Sequence, residues 1–141
     1  MTPKPCPFCA IVSGEADTAV VYQDALTLAF LDHAPLMIGH VLLVPRAHVA
    51  TIFEADAATV AALALASQKL AIAVTRSMGA AGCFVAQNNV VSQSVAHLHT
   101  HVIPRRRGDG FFSPRIVWKR TRYRAGQVAE TAAAIRAALA A

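Results

Sequence analysis

Three histidines stand at alternate positions in the stretch HLHTHVIP: His97, His99 and His101. Alternate residues of an extended chain point to one face about 6.5 Å apart, whereas on a helix the same three would fan over about 200°. Val102, Ile103 and, upstream, Val95 favour extended structure, and Pro104 is expected to end it. The triplet therefore reads as a row of imidazoles on one face of a strand from Val95 to Ile103. Three chemistries suit such a row. Buried structural histidines would each need a partner for the ring nitrogens. Two of the rings could ligate a metal, as His-x-His on a strand can hold zinc. A neutral imidazole could also attack phosphorus while its neighbours orient it and neutralise developing charge.

The residues around the row bear on that choice. Upstream, QNNVVSQSVA offers amides and hydroxyls (Asn88, Asn89, Gln93, Ser94) and no carboxylate. The nearest acids are Asp109 and, farther off, Asp32. Hydrogen-bond donors without carboxylates suit an anionic substrate better than a metal hydrolase, which normally adds Asp or Glu. A second group is CPFC, Cys6 and Cys9, which could be a redox pair, a metal half-site or chance. Five residues precede Cys6, too few for the strand that leads into a thioredoxin-type motif, and this argues against redox chemistry.

The elements that must position these groups follow from the hydrophobic pattern. Phe8 to Gly14 is a short helical turn at best. Residues 19–22, 26–31 (LTLAFL) and 40–44 (HVLLV, closed by Pro45) read as strands of an antiparallel meander. From Ala55 to Met78 the period becomes helical, with Val60, Leu63, Ser67, Leu70, Val74 and Met78 along one face and Gly79 as a cap. Residues 83–86 and 95–103 return to strand, joined by the polar loop 87–93, and Gly126 to Ala141 is an alanine-rich helix. The fold class is α+β: an antiparallel five-stranded sheet with one long helix and a C-terminal helix, both on one face.

The 141 residues, 55% hydrophobic and 15% charged, fit one domain across residues 1–141 and exclude a disordered chain. The longest uncharged apolar run, Ala57 to Gln68, is too short to span a bilayer, and no secretory leader pattern opens the chain. No membrane association and a cytoplasmic location are the expectations. The net charge of +5 is uneven. Arg105, Arg106, Arg107, Arg115, Lys119, Arg120, Arg122 and Arg124 are opposed locally only by Asp109. Such a basic segment suits a phosphate-bearing partner or a solvated loop. Nucleic acid is possible but not favoured, because no stacking aromatics alternate with the basic residues. Three cysteines do not make a disulfide framework.

The motifs together resemble the histidine triad (HIT) superfamily of nucleotide hydrolases and transferases. HLHTHVI follows its pattern of three histidines separated by apolar residues, with Thr100 the one departure. AFLDHAPLMIGHVLLVPRAH (Ala29 to His48) looks like its strand-loop-strand, and CPFCAIVSGE resembles the N-terminal segment of bacterial members. The resemblance covers about residues 5–110, with a basic tail and C-terminal helix over 105–141.

The resemblance implies a HIT-like fold and a set of roles. His99 would be the nucleophile at a nucleoside α-phosphate, forming a nucleotidyl-histidine intermediate that water hydrolyses. His101 would hydrogen-bond a phosphate or bridging oxygen. Gln93, Ser94 and either Asn88 or Asn89 would bind phosphate, Asp32 the ribose hydroxyls, and Phe8, Ile11 and Phe30 a purine. His40 would support the site, while His33 has no matched role. Cys6, Cys9, His48 and His97 would bind a structural zinc. The implied substrates are nucleoside phosphoramidates, aminoacyl-adenylates or dinucleoside polyphosphates. A homodimer is implied, with Leu63, Leu70 and Val74 as candidates for its surface unless that stripe packs on the sheet. The loop QNNVVSQS looks about two residues shorter than in many relatives and has Ser92 where they carry glycine, which leaves Asn88 and Asn89 undistinguished. Two rivals stand beside this reading: a nucleotide- or RNA-binding module with a vestigial site, and a metal-dependent hydrolase using the triad as ligands. Trp118 reads as packing.

Overall fold

Each short apolar run becomes a strand, and each polar break a turn. The first three strands are β1 (Val20–Gln23), β2 (Thr27–Leu31) and β3 (Val41–Pro45). Asp24 closes the first turn, its Oδ1 accepting the N–H groups of Leu26 and Thr27 at 2.9 and 2.7 Å. The structure, a computed structural model, describes residues 5–113 and 118–141; Arg115 of the basic segment lies outside them. A long helix, α2 (Ala57–Ser77), follows a single 3-10 turn and begins where Asp56 accepts the N–H of Thr59 at 2.8 Å. Two further strands, β4 (Gly82–Gln87) and β5 (Thr100–Arg105), precede the last helix, α3 (Gln127–Ala140). The sheet is antiparallel throughout, in the order β1-β2-β3-β5-β4.

Every residue of β2 and β3 is buried, because the sheet is covered on both faces there. On one face Ala29, Leu31, Val41 and Leu43 meet Leu63, Leu70 and Val74 of α2 and Ile135 of α3. On the other, Leu28, Phe30, Leu42 and Val44 meet Phe8 of a short helix, α1 (Pro7–Ser13). The long helix and the C-terminal helix share one face as expected, and α1 is a further helix on the other. The apolar content of Phe8, Ile11 and Val12 needs a partner, and the face that α2 leaves free supplies it. Leu63, Leu70 and Val74, offered as a dimer surface, are the helix's own contact with the sheet and are buried within this chain. Although α2 is long and apolar enough by composition to cross a membrane, its buried stripe is a core stripe.

The strand expected over 95–103 is shorter at its start and longer at its end. The β3–β5 ladder stops at Leu43 opposite Thr100. Two residues farther the same register would set Pro45, which has no N–H to give, against Leu98. Leu98 instead donates its N–H to the Val49 carbonyl at 2.8 Å. Pro104 does not end β5 but pairs with Cys83 inside it. Its missing N–H is harmless there, since β3 no longer runs alongside. Thr100, the departure from the apolar pattern of the triad, is buried and its hydroxyl accepts from Gln87 Nε2 at 2.9 Å.

The connection from β2 to β3 brings Asp32 and His40 together. The Asp32 N–H donates to the His40 carbonyl at 2.9 Å, and Gly39 makes the approach possible at φ 97°. A Cβ at Gly39 would lie 2.6 Å from Met78 Cγ. Gly39→Ala should therefore lose about 1–3 kcal/mol from combined backbone strain and overlap, measured as a shift of the urea midpoint at unchanged slope.

Candidate active site and metal centre

The Cys-Pro-Phe-Cys spacing places both thiols at the N-terminal end of α1. Cys6 is the residue before the first turn, and its Sγ accepts the N–H of Cys9 at 3.4 Å. Pro7 is well suited to the first turn, where no N–H is needed. His48 comes from the chain leaving β3 and His97 from the chain approaching β5. His97 Nδ1 lies 3.3 Å from Cys6 Sγ, 3.6 Å from Cys9 Sγ and 3.2 Å from His48 Nδ1, and Cys9 Sγ lies 3.3 Å from His48 Nδ1. All four ligand atoms fall within 4.8 Å of one another. A tetrahedral zinc with bonds of about 2.0–2.3 Å would space its ligand atoms by roughly 3.3–3.8 Å. The donor set fits such an ion in chemistry and in size. Burial, followed by the adjoining Cys6, pushes the Cys9 thiol up, a cost that a bound cation would reverse.

Hydrogen bonds assign the proton on each buried ring. The carbonyl of Pro45 accepts from His97 Nε2 at 2.9 Å, so Nδ1 of that ring carries the lone pair that faces the thiols. The carbonyl of His97 itself accepts from His99 Nδ1 at 2.8 Å, which leaves the lone pair of His99 on Nε2. His40 Nδ1 accepts the Leu36 N–H at 3.1 Å, so its proton is on Nε2 and is donated to His101 Nδ1 at 3.0 Å. The proton of His101 must then sit on Nε2. The result is a bare nitrogen on His99 beside an N–H donor on His101, with ring centroids 5.0 Å apart.

Neutrality of the supporting rings is enforced electrostatically. Burial pulls His40 down to about 3, outweighing the opposite pull of Asp32, whose Oδ2 is 3.7 Å away. Burial and then the neighbouring His99 pull His101 down to about 4. His97 is lowered too, first by burial.

The remaining candidates divide between the two faces of the sheet. Phe8 packs edge to face on Phe30 (5.4 Å) and on His99 (5.1 Å), with Ile11 against the same cluster. Asn88 and Ser92 line a cavity of about 380 Å³ beside His101. Asn89 instead lines a groove on the α2 side, where its Oδ1 accepts the Ile52 N–H at 2.8 Å. Gln93 accepts from the Val90 N–H and donates to the Ala50 carbonyl, so its amide braces the loop. Ser94 is exposed. The loop also holds Val90 and Ser92 at positive φ. Asp32 is buried; one oxygen accepts the Ala34 N–H and the other pairs with Arg120 at 3.0 Å. His33 is exposed beside it.

Sequence reasoning had no signal for that ion pair, since Arg120 lies 88 residues from Asp32 and was one of many in a basic run. Several of its fellows are also committed internally. Arg105 makes a bidentate pair with Asp109, and Arg106 bonds the carbonyls of Met78 and Gly79 at the end of α2.

Residues 13–108 match the family model of the HIT domain. The chain belongs to the HIT family. Among similar proteins, the Hit protein of Bacillus subtilis is 37% identical over 117 residues, 81% of this chain and 79% of that one. An adenosine 5'-monophosphoramidase of Schizosaccharomyces pombe is 37% identical over 102 residues, 71% of this chain and 74% of its own. A crystal structure of a zinc-bound histidine triad family protein from Mycobacterium smegmatis superposes with a TM-score of 0.81 at 36% identity, covering 96% of this chain and 93% of that one. The HIT family includes hydrolases, and members act on nucleotides. The four clustered Cys and His residues of this HIT protein form a possible metal site.

The depressed histidines set a pH response. His40 and His101 take up a proton in the unfolded chain near their usual value but resist it when folded, so their stability contribution is complete above about pH 6.5 and is lost toward pH 4 and below. Between pH 7 and 5 the loss attributable to His40 is on the order of 2 kcal/mol. Urea titrations at the two pH values should show a smaller fall for His40→Asn, which cannot be protonated.

Proposed function

We propose that this HIT protein is a nucleotide hydrolase or nucleotidyl transferase that cleaves at a nucleoside α-phosphate through a covalent nucleotide on His99. The observation that carries the reading is the bond from His99 Nδ1–H to the His97 carbonyl, which leaves the ring's other nitrogen, Nε2, with its lone pair free to attack. Attack by that nitrogen on the α-phosphorus forms the P–N bond as the bond to the leaving oxygen or nitrogen breaks. His101, with its proton held on Nε2 by His40, donates to the phosphate or to the departing atom. Water then cleaves the P–N bond and restores the neutral ring. The similarity to an adenosine 5'-monophosphoramidase supports the same bond class.

The binding roles rest on the family resemblance, with the positions of the loop side chains in support. Phe8, Ile11 and Phe30 hold a purine, and Asp32 takes the ribose hydroxyls. Asn88, on the same cavity as His101, contacts phosphate, while Asn89 and Gln93 hold the loop in shape and Ser94 offers a free hydroxyl to the phosphate oxygens. Zinc at Cys6, Cys9, His48 and His97 is structural: with four protein ligands it would fix α1 and the His97 carbonyl and leave no open position for water. The chain is cytoplasmic and pairs as a homodimer through the groove between α2 and β4, which Val60, Ala64 and Val85 line. The rival of an RNA-binding module with a vestigial site is weakened by the internal bonds of Arg105, Arg106 and Arg120.

Intact-mass measurement after rapid mixing with an adenosine phosphoramidate should show a transient gain of one AMP on the native protein and none on His99→Gly. Product without an adduct would favour metal-activated water instead; a bound but unreacted nucleotide would favour the binding module. Separately, metal analysis should give one zinc per chain in native protein and in His99→Gly. Cys9→Ser should lose most of it and melt at a lower temperature.

A further inference from the structure

We propose that Arg120 is a latch on the nucleoside side of the site: its guanidinium closes the Asp32 carboxylate, and a nucleotide engages that carboxylate only when its ribose hydroxyls displace the arginine. The inference rests on the ribose role proposed for Asp32. The ladder places the carboxylate. The Asp32 N–H donates to the His40 carbonyl, one pair beyond Leu31 and Val41, so the extended run of β2 continues through Asp32. Its side chain therefore falls on the face of Leu28 and Phe30, the face that Phe8 covers, about 6.5 Å along the chain from Phe30.

The carboxylate is already committed. Oδ1 accepts the Ala34 N–H at 2.9 Å, and Oδ2 accepts from Arg120 Nη1 at 3.0 Å. The same nitrogen donates to the Ala34 carbonyl, so the guanidinium bridges the turn and covers the acid, whose side chain is only 7% exposed. His40 does not offer an alternative counter-charge, because burial keeps its ring neutral. A carboxylate buried without donors is costly, and ribose hydroxyls can remove that cost only by taking the place Arg120 holds. Arg120 is easily moved. Its side chain is 49% exposed, so the pair is of the kind that water and salt weaken. The backbone on either side is pinned instead. Trp118 Nε1–H donates to the Phe111 carbonyl at 2.7 Å, its ring stacks on Phe111 with centroids 4.6 Å apart, and Thr121 gives its N–H to the Pro35 carbonyl at 2.7 Å. Opening is therefore a side-chain motion, into the cavity of about 740 Å³ that Asp32 and Arg120 both line. Apparent affinity falls with the fraction of molecules competent to bind, so a latch closed about four-fifths of the time weakens ribonucleotide binding roughly fivefold.

Calorimetric titration of the full chain with AMP and with 2′,3′-dideoxy-AMP tests the latch. Arg120→Ala should bind AMP about fivefold more tightly than native protein and bind the dideoxy nucleotide as native protein does. In Asp32→Asn the two nucleotides should bind alike, and adding Arg120→Ala should change neither. AMP binding that is unchanged or weaker in Arg120→Ala overturns the latch. So does an equal tightening of both nucleotides, which would report a general opening of the site. If Asp32→Asn removes the preference for AMP while Arg120→Ala has no effect, the ribose role stands and the latch alone fails. If Asp32→Asn leaves that preference intact, the ribose role fails and the latch with it. None of these titrations needs turnover, so the presence or absence of a His99 adduct is a separate result.

Discussion

The structure around the histidines depends on one residue making three different bonds. His97 gives its Nε2 proton to the Pro45 carbonyl, turns Nδ1 toward the thiols of Cys6 and Cys9, and offers its backbone carbonyl to His99. The first bond anchors it to the end of β3, the second ties down α1, and the third fixes the tautomer of the neighbouring ring. A buried imidazole satisfied on both nitrogens avoids the desolvation cost that makes lone histidines in cores expensive. The same economy extends to His40, which sits between a backbone donor and His101. Each ring is therefore oriented by backbone atoms, directly or at one remove: the Pro45 carbonyl, the His97 carbonyl and the Leu36 N–H.

Proline placement explains why the sheet ends where the site begins. Pro45 stops the β3–β5 ladder, and the residues freed from pairing, His97 to His99, can spend their polar atoms on each other, on the Pro45 carbonyl and on the thiols of Cys6 and Cys9. A continuous strand over this stretch would have committed the His97 carbonyl to a neighbouring strand. The interruption, which a strand-propensity reading passes over, is a condition for the arrangement of His99.

Much of this was legible in the residues. Alternation of His97, His99 and His101 correctly indicated one face, since Leu98 and Val102 do turn to the opposite core. The five strands and two main helices followed from apolar periodicity, with boundaries within two residues except at the start of β5, expected at Val95 and found at Thr100. Cys6, Cys9, His48 and His97 come together as the family resemblance implied. What was not legible depends on contacts without a local pattern. Nothing in the neighbourhood of Asn88 and Asn89 tells which faces His101, because the loop turns through two residues at positive φ that are not glycine. The pairing of Asp32 with Arg120 and the stacking of Trp118 on Phe111 belong to the path of the basic segment, which carries no periodicity. The side taken by α1 was hidden because seven residues cannot announce which face of a sheet they will cover.

The position of Cys6 in the chain has a consequence for how the molecule comes into being. The meander of β1 to β3 pairs neighbours in sequence, whereas Cys6 and His97 meet across a separation of 91 residues. Closing a loop of that length carries a large entropic cost that only later contacts repay. During synthesis α1 can therefore lay Phe8 on Leu28, Phe30, Leu42 and Val44 once β3 has emerged, whereas Cys6 must wait for His97. The Cys6 thiol is among the first groups made and among the last to meet its partner.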